Sequence, residues 1–385
     1  MVYFNYASLG MPDKEAIKQL NDFLITFPRE VSESTEDFTM KMVSLVERTR
    51  AVIAKAYRVP SKNIAFIANT TEGLGLIANA LKNSTVPVKV VVPDIEFISS
   101  ALVWKNNSDA ICYCQSENGV VSPEVIHQMM EKNTNILCLS SVQEVSGHRF
   151  SFQKLLELRE KDPDEFWIVD GIQEAGILWK DLKNDQIDAY IVGGHKWLNS
   201  PFGLGFMYIS DRLLDRISPS FYGYFNIKEP TSGWMEYLES RNRTLRDLKH
   251  LAVKRDASIF ESGGMVNVNG AFMLAKSFEA WKRMGLVDSS KHISKLQIIF
   301  RTNIKNEQFK ILGEKDPITW SSILTLSGKE GIGAEKQLLG RMMKAGYRAS
   351  LRSIEGIGGV RIGFHYSTTF EEVECLVKLI NKEQG

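Results

Sequence analysis

Long apolar runs are missing from this chain. None of its 385 residues lies in an apolar stretch of the roughly 20 residues that a membrane-spanning helix needs, so no membrane partner is expected. An excess of one charge sign is missing too. The 47 lysines and arginines almost balance 46 aspartates and glutamates, which leaves no reason to expect nucleic acid or an anionic surface as a partner. The opening, Met1 to Tyr6, lacks the basic, apolar, then small-residue order of a secretory signal, and a cytoplasmic location is expected. Cysteine is scarce, with only Cys112, Cys114, Cys138 and Cys375. The first three lie in apolar, β-branched surroundings typical of buried strands, with no further ligands at zinc spacing nearby. Reduced buried thiols are the expectation, and no metal site. No internal repeat or low-complexity tract is present.

What the chain does have is alternation. Short apolar runs, Ile64 to Ala68, Val88 to Val92, Ala110 to Cys114, Asn135 to Ser140, Phe166 to Val169, Ile187 to Val192 and Gly205 to Ile209, read as strands. Between them Thr71 to Leu81, Phe97 to Lys105, Pro123 to Lys132 and Phe152 to Lys161 read as helices. Such alternation predicts an α/β fold whose mostly parallel sheet is covered on both faces. Residues 218–260 are irregular, as binding loops and interface elements often are. After Gly270 longer helices accompany strands near Ser322 to Leu326 and Gly359 to Gly363, which predicts a smaller α+β domain. The expected division is an N-terminal segment, 1–20, packing with the small domain, a large domain, 21–265, and a small C-terminal domain, 266–385.

Parallel sheets place ligands at the carboxyl ends of their strands. Asp170 ends one predicted strand, in Asp170-Gly171-Ile172-Gln173, and Lys196 follows the next, in Gly193-Gly194-His195-Lys196. That layout suits pyridoxal 5'-phosphate chemistry. An amine can form a Schiff base with the cofactor aldehyde, and a carboxylate keeps the pyridine nitrogen protonated. A lone lysine at a strand end is usually a solvated charge, but two glycines, His195 and Trp197 are costly flanks for an ordinary exposed turn. Asp170 alone could be a helix cap. Asn69-Thr70-Thr71-Glu72 opens a helix after a strand, where backbone amides form an anion site, though the same residues also make a structural N-cap. The three features together, at strand ends of one sheet, carry the reading.

With these motifs the chain resembles the class V family of fold-type I pyridoxal-phosphate enzymes, over nearly its whole length. That group includes cysteine desulfurases, selenocysteine lyases, kynureninase-like hydrolases and isopenicillin-epimerase-like proteins. Asn5-Tyr-Ala-Ser-Leu-Gly10 resembles the family's opening, Thr70-Thr71-Glu72 its phosphate-binding motif, and Asp170 to Gln173 its Asp-x-x-Gln. Gly194-His195-Lys196 resembles the Schiff-base motif, Phe260 to Gly263 the Phe-Glu-x-Gly, and Val360-Arg361-Ile362 the strand whose arginine grips a substrate carboxylate. The resemblance implies a homodimer in which Lys196 and Asp170 act in catalysis. It implies that Thr70, Thr71, Phe97, Gln173 and His195 join them in holding the cofactor, Gln173 by donating to its phenolate oxygen. It further implies that Asn5, Ala7, Ser8 and Arg361 meet an amino-acid substrate. The alternative for Arg361 is an ion pair near Glu371 or Glu372.

Three departures bear on function. Phe97 stands where desulfurases carry a ring-stacking histidine, and a phenyl ring can stack but cannot transfer protons. The stretch Tyr347 to Ser353 resembles the desulfurase segment that bears the sulfur-accepting cysteine, yet it contains none. Gly264 falls where many relatives have a threonine that reaches the partner's phosphate. The expected activity is therefore aminotransferase- or lyase-like chemistry at the α-carbon of an amino acid or amine. Desulfuration, selenocysteine lyase-like chemistry or epimerisation are alternatives, and a non-catalytic scaffold retaining the fold is an alternative of another class. The set Lys196, Asp170, Gln173 and Arg361 argues against a scaffold, which needs none of them.

Overall fold

The computed structural model describes residues 1–132, 134–158, 160–241, 251–313 and 316–382. After a short strand β1 (Val2–Tyr3) come two long helices, α1 (Lys14–Glu33) and α2 (Thr35–Tyr57). The αβ alternation then runs β2 (Ile64–Ile67), α3 (Thr70–Lys82), β3 (Lys89–Pro93), α4 (Ile98–Leu102), β4 (Ala110–Cys114), α5 (Pro123–Met130), β5 (Ile136–Ser140) and α6 (Phe152–Leu158). It continues through β6 (Phe166–Asp170), β7 (Ala189–Gly193) and β8 (Gly205–Ile209) to the short helices α7 (Asp211–Leu214) and α8 (Trp234–Glu239). The remainder is α9 (Val268–Met284), α10 (Leu286–Asn303), β9 (Phe309–Ile311), β10 (Ile323–Gly328), α11 (Ile332–Lys344), β11 (Tyr347–Arg348), β12 (Ser350–Ile354), β13 (Ile357–Gly363) and α12 (Phe370–Asn381).

The large sheet has the order β2-β8-β7-β6-β5-β3-β4, and only β8 pairs antiparallel to its neighbours. Apart from the edge strand β4, its strands are apolar on both sides because both faces are covered. Val91, Leu137, Leu139, Trp167 and Val169 feed one core, while Val90, Val92, Ile136, Phe166 and Ile168 feed the other. A second sheet, β12-β13-β10-β9, is antiparallel throughout, and β1 pairs parallel with β11 beside it. No helix among the described residues is long and apolar enough to cross a membrane.

Several expectations need correcting. Residue 20 lies within α1, a continuous helix whose start is fixed by Asp13 accepting from the amides of Glu15 and Ala16. Helix α9 belongs to the large-domain core, because Phe278 and Trp281 pack around Tyr57, whereas Ile293, Leu296 and Phe300 of α10 enter the small-domain core. The helix expected from Phe97 to Lys105 is only the five residues of α4, with Phe97 as its N-cap. Cys112 is half-buried rather than buried, because β4 is the sheet's edge strand. In the irregular 218–260 stretch, residues 242–250 lie outside the described residues.

Candidate active site

The carboxyl ends of the parallel strands converge on a cavity of about 340 Å³. Asp170 closes β6, Lys196 follows β7, Asn69 to Thr71 follow β2, Phe97 and Ser99 follow β3, and Glu144 follows β5. The fourth wall comes from outside the large sheet: Ala7 and Ser8 of the N-terminal segment, Arg352 of β12 and Arg361 of β13.

Close backbone packing fixes Lys196. The Gly10 amide donates to the His195 carbonyl at 2.8 Å. A Cβ on Gly10 would lie 2.0 Å from the Lys196 carbonyl oxygen, so only glycine lets the N-terminal segment pass there. On the other side a Cβ on Gly194 would sit 2.8 Å from the Leu204 carbonyl. Thr70, buried at the start of α3, accepts from the Gly193 amide at 2.9 Å and so ties the helix N-terminus to the end of β7.

Burial dominates the electrostatics. It lowers the Lys196 ammonium to about 8, while Asp170 and Glu144 oppose that shift and Arg361 and Arg352 add to it. Burial likewise raises the Asp170 carboxyl to about 6, against the Ile172 amide, which Oδ1 accepts at 2.9 Å, and against Lys196. His195 is pushed down to about 4 by burial and by Lys196, and its neutral ring stacks on Phe202 at 4.9 Å. The Lys196 ammonium lies 5.8 Å from the centroid of the Phe97 ring. Thr71 Oγ1 and Ser99 Oγ are hydrogen-bonded at 2.8 Å beside the N-terminus of α3. A buried amine, a buried carboxylate, an aromatic wall and a helix N-terminus flanked by hydroxyls fit pyridoxal 5'-phosphate: an aldehyde partner, a pyridinium partner, a ring support and an anion site.

Three residues named above stand elsewhere. Gln173 does not line the cavity. Its Nε2 donates to the Ala7 carbonyl at 3.1 Å and its Oε1 accepts from Trp197 at 2.8 Å, so the amide props up the cavity wall from behind instead of facing inward. Asn5 is also absent from the lining, and its Oδ1 is buried without a hydrogen-bond partner among the described residues. Ser353 does not line the cavity either. It points outward from β12, because alternation along that strand turns Arg352 inward.

Other contacts escaped the sequence reading. Arg361 does make an ion pair, but with Glu144 at 3.2 Å rather than with Glu371 or Glu372. Burial lowers the Arg361 guanidinium to about 10 despite that partner. Ser8 Oγ accepts from Arg361 Nη2 at 2.7 Å and from Arg352 Nη2 at 3.1 Å. Behind Phe97, buried Glu96 accepts from the Ser140 amide and from Gln143 Nε2, bracing the ends of β3 and β5, and burial raises its carboxyl to about 7. Glu144 and Ser99 carried a usable signal, since both follow a predicted strand at the carboxyl edge. Arg352 carried none, being visible only once β12 and β13 pair.

Comparisons with known proteins identify the family. Residues 2–376 match the sequence profile of the family described as Aminotransferase class-V. A probable cysteine desulfurase of Methanothermobacter thermautotrophicus is 20% identical, with the match covering 100% of this chain and 95% of the relative. One from Vibrio cholerae is 22% identical over 99% of this chain and 93% of the relative. Among solved structures, the apo cysteine desulfurase from Thermococcus onnurineus NA1 superposes with a TM-score of 0.82 at 18% identity, covering 99% of this chain and 94% of that one. The cystine C-S lyase C-DES, in complex with its reaction product cysteine persulfide, also gives 0.82 at 17% identity, covering 98% and 97%. The chain belongs to the class V aminotransferase family and is a pyridoxal 5'-phosphate-dependent enzyme.

Proposed function

We propose that this enzyme is a lyase acting on a small sulfur-bearing amino acid, with Lys196 both holding the cofactor and moving the substrate's proton. One observation carries the reading. The cavity brings together a buried amine, a buried carboxylate and two guanidiniums, and no thiol lines it among the described residues. Lys196 would hold the cofactor covalently, Asp170 its ring nitrogen, Phe97 a ring face, and Thr71, Ser99 and the α3 N-terminus its phosphate. Bound there, pyridoxal 5'-phosphate supplies an electron sink for the pair left at the α-carbon when one of its bonds breaks.

The chain's own residues do the rest. Arg361, Arg352 and Ser8 form the only end of the cavity with paired guanidiniums among its described lining residues, and a carboxylate held there orients the α-carbon toward Lys196. Lys196 Nζ, whose acidity places an appreciable neutral fraction near pH 7, takes the α-proton and delivers a proton to the leaving sulfur. With cysteine the α C–H and β C–S bonds break, sulfide leaves, and water converts the remaining 2-aminoacrylate to pyruvate and ammonia.

The names of the relatives favour a second reading, a persulfide-forming desulfurase. That chemistry needs a thiolate able to reach the cavity. Here the segment from Ser350 to Ile354 is a paired strand instead of a cysteine-bearing loop, and Cys375 is exposed on α12, outside the cavity lining. Incubating the holoenzyme with cysteine should release pyruvate, ammonia and sulfide in step. A protein persulfide forming at a catalytic rate would overturn the reading. Transamination would instead show as a new amino acid formed from an added 2-oxo acid.

A second copy of the chain is the partner this reading calls for. Phe97 is 42% exposed at the cavity, and Phe202 is 68% exposed although it stacks on His195. Ile98 and Met265 add further exposed apolar area on segments next to cavity residues or to the Phe-Glu-x-Gly. Gly264 leaves open space where a Cβ would stand, so among the described residues nothing fills the position of the family's threonine. Light scattering of the purified holoenzyme should give a dimer mass, and a monomer with full turnover would contradict this.

A further inference from the structure

The arginine that the sequence singles out for a carboxylate is already engaged. Arg361 Nη1 donates to Glu144 Oε2 at 3.2 Å and to the Glu144 carbonyl at 3.1 Å, and Nη2 donates to Ser8 Oγ. Its side chain is 1% exposed, so a ligand carboxylate that approaches it meets the carboxylate of Glu144 on the same guanidinium. Two carboxylates on one guanidinium repel each other in a water-poor site. Arg352 is different. Its Nη1 donates to the Leu351 carbonyl at 2.7 Å and its Nη2 to Ser8, and it has no acidic partner among the described residues.

Ser8 adds a direction. A hydroxyl has two acceptor sites and one donor. Both acceptor sites are taken by the two guanidiniums, which leaves the Ser8 proton to donate to a third group at the cavity wall. A carboxylate resting on Arg352 and accepting from Ser8 satisfies both.

We propose that Glu144 moves the carboxylate site from Arg361 to Arg352: Glu144 holds Arg361 as a positioning residue, and Arg352 with Ser8 receives the substrate's carboxylate. The inference rests on the reading of the cavity as an amino-acid site. It also defines a substrate class. The negative charge of Glu144 disfavours a second carboxylate nearby, so the site takes monocarboxylic amino acids over dicarboxylic ones.

Propanoate, a carboxylate of amino-acid size without an amine, separates this role from turnover. Its affinity for the holoenzyme is read by calorimetry and by displacement of the cofactor's visible band, whose presence in each variant reports an intact cavity. Arg352→Gln should weaken propanoate about tenfold or more, and Arg352→Lys should recover part of that loss. Glu144→Gln should tighten it about fivefold by freeing Arg361, and in that background Arg352→Gln should cost less than about threefold. Unchanged affinity in Arg352→Gln, or weaker binding in Glu144→Gln, overturns the inference while leaving the lyase reading in place. No propanoate binding by the unaltered holoenzyme overturns the inference and the reading of the cavity beneath it.

Discussion

Lys196→Ala is expected to abolish covalent attachment of the cofactor and to lower turnover by roughly 10⁴-fold or more, since one side chain is removed from two roles. The same residue gives a pH signature. Burial places its ammonium at about 8, so the neutral amine that attacks the aldehyde becomes abundant as pH rises through that value. Cofactor uptake by the cofactor-free protein, followed by the visible band, should therefore accelerate with a midpoint near pH 8. A midpoint near 10.5, the value of a lysine in water, would mean that Nζ is not held in the buried place described.

Asp170→Asn should leave the cofactor attached yet cut turnover by roughly two to four powers of ten. The variant keeps the shape and the acceptor for the Ile172 amide but removes the charge that would face the protonated ring nitrogen of the bound cofactor. Breaking a buried pair by removing one member costs about 3–5 kcal/mol, which sets that range. The same change should stabilise the cofactor-free protein. The folded carboxyl, at about 6, lies above its ordinary 3.8, so its contribution is full below 3.8 and is lost as pH rises through 6. At pH 7 the wild-type carboxylate thus costs on the order of 3 kcal/mol that asparagine does not. A melting temperature that rises while turnover falls is the expected pattern. Equal turnover in Asp170→Asn would remove Asp170 from the chemistry.

The sheet was legible because its signal is local. A strand such as Phe166 to Asp170, apolar on both faces and ended by an acid, reads as the inside of a covered parallel sheet without knowledge of its neighbours. The placement of Lys196 and Asp170 at the carboxyl edge was legible for the same reason, since Asp170 closes β6 and Lys196 closely follows β7. The packing of α9 was not. Helix α9 precedes the small domain in sequence, but Phe278 and Trp281 are drawn to Tyr57 in the large core. The carboxylate end of the cavity was legible only in part. Ser8, Glu144, Arg352 and Arg361 meet from four separate segments, and no spacing along the chain announces that Glu144 rather than Glu371 or Glu372 reaches Arg361. Glu372 is instead occupied in a reciprocal cap with Thr369 at the start of α12.

The most direct test of the account is where the cofactor is attached. The holoenzyme is reduced with borohydride, digested, and its peptides are sequenced by mass spectrometry. A single pyridoxyl adduct on the lysine at position 196 is the predicted result. An adduct on any other lysine, or none in a protein that carries the visible band, would contradict it.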